Sequence, residues 1–508
     1  MTRTKQKKEK TKVNVRRVTL SQIRRNNLPM QTRNYDAAQT TRYTQQHFLY
    51  ADSRDADALI RADLATLRNR ARYEIRNNSY AKGIVETKAN DLIGTGPRLQ
   101  VITNDQDLNK RIEFLFSQWC KICDAEGRMT FNDIMQLAGS KQQDESGEAF
   151  IIFENAKSGD NWVREGPQVR LRLRLVEPDR VTNPGFASYN EKLHDGIEFN
   201  DEGHPTLYYI LKQHPGSDYN FNLGFDYEKV SASQVIHLYR KDRPGQSRGV
   251  PWITPAIPLF AQLRRFTLAT VEGAETAAKL SAILTQEKSN ETFNQDYTET
   301  EVEDYDEVEI PRGSMLTMPA GSQLSQFKPE QPPSTYKDFK REILNEIARC
   351  LNMPFNVAAA NSSEYNYASG RLDWQVYFRM IRTVRAWLTE HALDRIFLGW
   401  LKEAMLIREF RIPPLDTDLL NLKWFWPGSE HVDPVKEAKA QEIRLKNWTT
   451  NLAEEGAREG KDWEIELEQK KREIDKLKEL GLLRDEDVPI YLGLVSKVAI
   501  PGGNGNGD

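Results

Sequence analysis

The hydrophobic period of this chain changes twice, and that double change limits the architectures open to it. Between residues 147 and 240 the sequence runs GEAFIIFE, VRLRLRLVEPDRV, DGIEFN, PTLYYILKQH and ASQVIHLYR, short alternating or apolar runs between turn residues. Such runs predict a mainly antiparallel sheet. Before them the apolar spacing is helical: Leu59, Leu64, Leu67, Ile75, Ile84, Val85 and Leu92 fall near one face. Asn77, Asn78 and Ser79 interrupt that pattern, so two helices are expected. Gly94 and Gly96 should end the second and turn it into a strand over 99–102. Helices over 108–123 and 131–141 follow. A sheet enclosed by helical segments predicts an α+β fold.

The second half is helical around one interruption. Segments 254–284 and 334–352 both read as helices, and a helix pair around an insertion makes a hairpin with a projecting head. In the first, Ala269, Gly273, Ala274, Ala277 and Ala278 permit close helix–helix approach. The insertion contains nine Asp or Glu and no base between residues 291 and 309. Its acids Glu303, Asp304, Asp306 and Glu307 can meet a basic partner, repel DNA, or form a solvated loop. After Pro354 comes a polar loop with Asn361, Ser362, Ser363, Tyr365, Asn366 and Tyr367, one acid (Glu364), and no base before Arg371. Asn, Ser and Tyr can donate hydrogen bonds to phosphate without a fixed charge to hold it; the same loop can equally serve as a plain connector. A long helix is expected from Arg371 to about Ile407, and charged helices over 434–480.

Charge narrows the function classes. The 508 residues carry a net charge of −3, without the basic excess of a protein that grips nucleic acid by its phosphates. The exception is the start, where residues 1–33 hold eleven Lys or Arg and one acid, Glu9. Residues 1–44 read as a basic mobile arm, either solvated or in nonspecific contact with DNA or a scaffold. No run is long and apolar enough to span a bilayer or to serve as a signal peptide, and three cysteines make no disulfide framework, so a cytoplasmic chain is expected.

The motifs that suggest chemistry fail on context. Cys120 and Cys123 form C-x-x-C at the end of a helix, where the dipole disfavours a thiolate, and Cys350 with seven scattered His supplies no second ligand pair. Gly245-Gln246-Ser247-Arg248-Gly249 matches G-x-S-x-G, but Lys241 to Pro244 part it from the preceding strand and Pro251 follows, so it reads as a surface loop. Gly94-Thr95-Gly96 is too short for a dinucleotide fingerprint. Catalytic, metal and cofactor-binding residues are therefore expected to be none. A metal-dependent nucleic-acid enzyme, using the acids of 299–309, and a scaffolding protein of another assembly are the competing readings.

Several segments in one order resemble the lambda-type family of phage portal proteins: NNSYAKGIVETKANDLIGTGPRLQ at 77–100, GEAFIIF at 147–153, LVEPDRV at 175–181, DGIEFN at 195–200, and VIHLYRKDRPGQSRGVPWITPAI at 235–257. The Tyr-rich loop with Gly370-Arg371 and WFWPGSEHVDPVKEAKA at 424–440 complete the set. The resemblance implies a homo-oligomeric ring, commonly of twelve subunits, at the head–tail vertex of a virion and in the host cytoplasm during assembly. It implies double-stranded DNA passing through without sequence preference. It also implies contacts with the terminase large subunit, head–tail adaptor proteins, and the major capsid or scaffold protein. By likeness a wing spans 45–253 and continues in the long helix and return segment of 371–433. The stem is 254–284 with 334–354, the clip 285–333, the channel loop 355–370, the helical crown 434–485 and the flexible tail 486–508. The channel site takes in Asn361, Ser362, Ser363, Tyr365, Asn366 and Tyr367 of this loop and Arg371 just past its end. The acidity of the clip departs from the family and leaves its partner contacts open.

Overall fold

The computed structural model describes residues 36–38, 40–156, 166–186, 192–217, 226–279, 283–286, 322–325, 336–363, 365–417, 419–428 and 434–488. The chain divides into two units after Asp55. Of the first, the described part is a 3-10 turn at Asp36–Ala38 and hydrogen-bonded turns from Thr41 to Asp52. All other elements belong to the second.

Helix α1 (Ala56–Arg61) leads into α2 (Leu64–Asn77) and α3 (Ser79–Leu92). Asn78 separates these two as expected: its backbone is extended and its side chain accepts the Tyr80 and Ala81 N–H groups, capping α3. Gly94 and Gly96, at φ +56° and +96°, then turn the chain into β1 (Arg98–Ile102). Asp105 caps α4 (Gln106–Trp119), and a Thr130–Asp133 capping box opens α5 (Phe131–Gln136). A π turn at Leu137–Lys141 links α5 to α6 (Gln142–Glu145).

Among the described residues the strands form four antiparallel sheets. β2 (Glu148–Asn155) is central in the order β3-β2-β8, with β3 at Leu171–Val176 and β8 at Val235–Tyr239. Its two faces pack different cores. Ala149 and Ile151 join the main core, whereas Phe150 and Ile152 pack with Val176, Ile197, Tyr208 and Val230. The second sheet runs β4-β5-β6-β7 (Leu193–His194, Ile197–Phe199, Pro205–Leu211, Tyr227–Ser231). With helices on either side in sequence, this is the expected α+β arrangement.

Helix α7 (Ile257–Lys279) follows a 3-10 turn at Thr254–Ala256 and is shorter than the helix predicted over 254–284. Residues 283 and 284 instead belong to β9 (Ile283–Gln286), which pairs with β10 (Ser322–Ser325) to close the base of the insertion. Tyr336–Cys350 forms α8 and Phe355–Ala358 a short α9. The long helix starts earlier than predicted. α10 covers Tyr367–Leu388, because Asn366 and Ser369 make a capping box, and it continues through a π turn (Thr389–Leu393) into α11 (Asp394–Ala404). The first π turn packs against the end of α10: a Cβ on Gly139 would stand 3.2 Å from the Leu388 side chain.

β11 (Asn421–Phe425) pairs with β1, so Trp424 and Phe425, read from sequence as part of a break, close a two-stranded sheet with residues 98–102. Helices α12 (Pro434–Lys446), α13 (Leu452–Arg458) and α14 (Trp463–Glu479) complete the described fold; α12 and α14 bury no residue. No described helix is long and apolar enough to cross a membrane.

Candidate functional site

The polar loop between α8 and α10 is partly consumed by its own structure. Asn361 Oδ1 accepts the Ser363 N–H at 3.0 Å, and Asn366 Oδ1 accepts the Ser369 N–H at 2.8 Å. Both carbonyls therefore act as turn and cap groups rather than open contacts. Asn361, Ser362 and Ser363 are exposed, Tyr365 is half-buried and Arg371 is exposed on the first turns of α10. Tyr367 is the first residue of that helix; its side chain, like Glu364, lies outside the described residues.

Ser362, Tyr365, Asn366 and Arg371 border a cavity of about 1250 Å³. Its walls come from Trp374 and Phe378 on α10 and Trp424 and Trp426 at β11, with α12 and α13 behind. Sequence reading missed Arg382 and Arg385, which also line it. Arg385 Nε and Nη2 each donate at 2.9 Å to the Leu92 and Asp91 carbonyls, satisfying the C-terminal end of α3. Its guanidinium lies 5.3 Å from the Trp426 ring centroid, and burial lowers its pKa to about 10. Tyr377 donates to the Asp91 carboxylate at 2.8 Å, a second bolt between α10 and α3.

The small-residue helix is open on one side. Ala269 is exposed, and Gly273 and Ala274 are half-buried; Leu268 and Val271 are 58% and 49% exposed. The opposite side packs on α8, where Phe266 stacks with Tyr336 at 5.6 Å and meets Phe339 at 4.3 Å. Ala277 and Ala278 lie on the helix backbone with side chains outside the described residues. Glu303, Asp304, Asp306 and Glu307 lie wholly outside them.

The expectation of a surface loop at 245–249 is wrong. Gln246, Ser247 and Arg248 are all buried. Arg248 contacts Glu148 Oε1 at 2.5 Å and donates to the carbonyls of Pro178 and Val181 at 3.0 Å and of Asp195 at 2.5 Å. One guanidinium thereby joins four of the segments that carry the family resemblance. Glu148 also takes Arg68 at 2.5 Å, the His237 ring at 2.8 Å and the Gly249 N–H at 2.8 Å. The two arginines hold its carboxyl far below the usual range against the opposing cost of burial. The backbone contact explains the glycines: a Cβ on Gly249 would sit 2.1 Å from the Gly147 carbonyl oxygen.

The apparent chemical groups are otherwise engaged. Ser247 Oγ donates to Asp57 at 2.5 Å, and His194 Nδ1 lies 3.6 Å from that same oxygen. The order is Ser–Asp–His, whereas a nucleophile needs the imidazole against the hydroxyl. Glu177, Asp179 and His214 converge as a ligand set could, yet Arg72 Nη2 lies 2.5 Å from Asp179 and 3.4 Å from Glu177 and supplies the positive charge. Burial raises the pKa of both Cys120 and Cys123, the reverse of what a redox pair requires.

Residues 43–385 match the family model described as phage portal protein, lambda family. The chain is 24% identical over 473 residues to a probable portal protein of Halomonas phage phiHAP-1, covering 89% of this chain and 88% of the relative. It is 20% identical over 472 residues to portal protein B of Escherichia phage lambda, covering 85% and 87%. Among solved structures it is similar to a chain in the neck of an empty gene transfer agent particle, with a TM-score of 0.45 and 12% identity over 78% of this chain and 93% of that one.

Proposed function

The chain belongs to the lambda family of phage portal proteins, and from that premise we propose that copies of it close into a ring, of twelve subunits, that carries duplex DNA into and out of a virus head. The observation behind the ring is the apolar surface one copy leaves open. Leu268 and Val271 on α7, and Leu372 and Val376 on α10 at 64% and 55% exposure, face away from the core of their own chain. Two helices with apolar exposed faces need partners, and heterologous contacts between like copies close into rings.

In this reading α7 and α8 form the stem and the insertion 285–333 is the clip that meets the terminase large subunit and head–tail adaptors. The wing faces the major capsid or scaffold protein, residues 434–485 form the crown, and 355–370 lines the channel. The assembled ring sits at the head–tail vertex of the virion, after assembly in the host cytoplasm. The role is structural: the chain guides DNA and performs no covalent chemistry on it. Light scattering on the purified protein tests the core of the proposal. A mass close to twelve times the 58.6 kDa subunit is expected; a monomer at micromolar concentration, with metal-dependent DNA cleavage, would replace this reading with that of an enzyme.

A further inference from the structure

We propose that the contact of α14 with α4 is a proton-operated latch: α4 holds α14 while the Glu113 carboxyl keeps its proton, and releases it once that group is ionised. The device belongs to the single chain and goes beyond the ring reading above. It begins with how little else holds α14. That helix buries no residue, and its Ile465 and Leu467 are 60% and 46% exposed. Its start is well fixed. Asp462 Oδ1 accepts the Glu464 N–H at 2.9 Å and caps the helix. The turn before it is pinned at Gly460, φ +71°, where a Cβ would stand 2.9 Å from the Trp426 carbonyl oxygen.

Beyond that start, the ion pair that joins α14 to an earlier segment among the described residues is Lys110 with Glu468. Both side chains are exposed, so solvent screens the pair and it contributes little alone. One turn further along α4 stands Glu113, and one turn back along α14 stands Glu464. Where the first turn pairs opposite charges, the next brings carboxyl groups together, and Asp462 adds a third. Glu113 is half-buried, and its Oε1 accepts the Val101 N–H at 2.7 Å, which keeps the group in place where β1 meets α4. The charges that act on it are Asp462 and Glu464 from α14 and Lys110 from α4; β1 contributes its backbone N–H.

The sign of the switch follows from that arrangement. Protonated, Glu113 places no charge against the two α14 acids and still offers its carbonyl oxygen to Val101. Ionised, it faces both acids, while Lys110 is committed to Glu468. Withdrawal from water, aided by those acids, raises its pKa to about 7. A raised carboxyl strengthens the contact in full below its ordinary value of about 4.3, and that contribution is lost as pH rises through 7. In the ring reading the latch lies on the seam between crown and wing, so it sets whether α14 is packed or loose at a given pH.

Hydrogen–deuterium exchange of the full chain at pH 6 and pH 8 reads the latch, with each rate corrected for the intrinsic pH dependence of amide exchange. Protection of residues 465–479 should fall by up to about tenfold between the two, as one carboxyl titrating near 7 allows, while α4 and β1 keep theirs. Glu113→Gln keeps an acceptor for Val101 and never ionises, so it should hold the pH 6 protection at both values. If that variant does not fold, Asp462→Asn with Glu464→Gln takes its place, removing the opposing charges while Asn keeps the cap. Equal protection of wild-type α14 at the two pH values, or an undiminished fall in the variant, would overturn the latch. Neither result bears on the ring, which the mass of the assembly tests by itself.

Discussion

Two oxygens of Glu148 receive Arg68, Arg248, His237 and the Gly249 N–H, and almost no water reaches any of them. Removing the carboxylate leaves two guanidinium groups buried without compensation, which costs about 3–5 kcal/mol. Glu148→Ala should therefore lower the urea midpoint of the subunit clearly, because that cost is a large fraction of a stability on the order of 5–15 kcal/mol. The pH dependence has a definite sign. Burial depresses the His237 pKa, and the arginines depress that of Glu148. Depressed groups stabilise the fold above their unfolded values, about 6.5 and 4.3, and lose that contribution as pH falls. Melting temperature should decline from pH 7 to 5 through His237 and further below about pH 4.5 through Glu148. His237→Gln should flatten the first decline only, which a pH series of thermal melts reads directly. Nothing local in the sequence announces this centre. Residue 148 lies 80 positions from Arg68 and 100 from Arg248, and a Gly-, Ser- and Arg-rich stretch looks like a solvated loop until the fold closes on it. The break at Asn78 is legible for the opposite reason, because the N–H groups its side chain caps are two and three residues away.

Elements obey the same distinction between near and far. The helical and alternating periods place the sheet of 147–240, the break at Asn78 and the helices α7 and α10 within a few residues, because periodicity is local. The β1–β11 pair joins residues 98–102 to 421–425, and no local pattern could match Leu99 with Trp424. One element contact carries a measurable pH signature. Glu113 on α4 accepts the Val101 N–H at 2.7 Å; burial, aided by Asp462 and Glu464 at the start of α14, raises its pKa to about 7. A raised carboxyl contributes stability that is complete below its unfolded value of about 4.3 and is lost as pH rises through 7. Glu113→Gln keeps the acceptor and removes the charge. It should stabilise the subunit at pH 8 by on the order of 1 kcal/mol, allowing for its partial exposure, and change little at pH 5. On α7 the expected effect is on assembly. Ala274→Arg places a long cation on the half-buried stripe beside Val271, so subunits should melt normally by calorimetry yet fail to form rings on a sizing column.

At the scale of the whole molecule, a near-neutral chain suits a channel. Each phosphate neutralised by a fixed cation adds affinity through counterion release, and a ring repeats any basic patch in every subunit. A conduit works when its lining holds DNA weakly, and Asn, Ser and Tyr provide contacts that exchange readily. The structure suggests which positions test this. Asn361 is a poor choice because its carbonyl holds the Ser363 N–H, so replacing it would disturb the loop as well as its charge. Ser362 and Ser363 are exposed, and neither side chain supports the turn through a hydrogen bond described for the loop. Ser362→Lys with Ser363→Lys should therefore leave folding and ring mass unchanged while adding two cations per subunit to the loop. If the loop faces DNA, packaging and ejection should slow, most at low salt where screening is weakest, and recover as ionic strength rises toward 0.15 M or about an 8 Å screening length. Packaging at the wild-type rate in low salt, from rings of normal mass, would mean that 355–370 only connects α8 to α10, and that the DNA path is lined elsewhere.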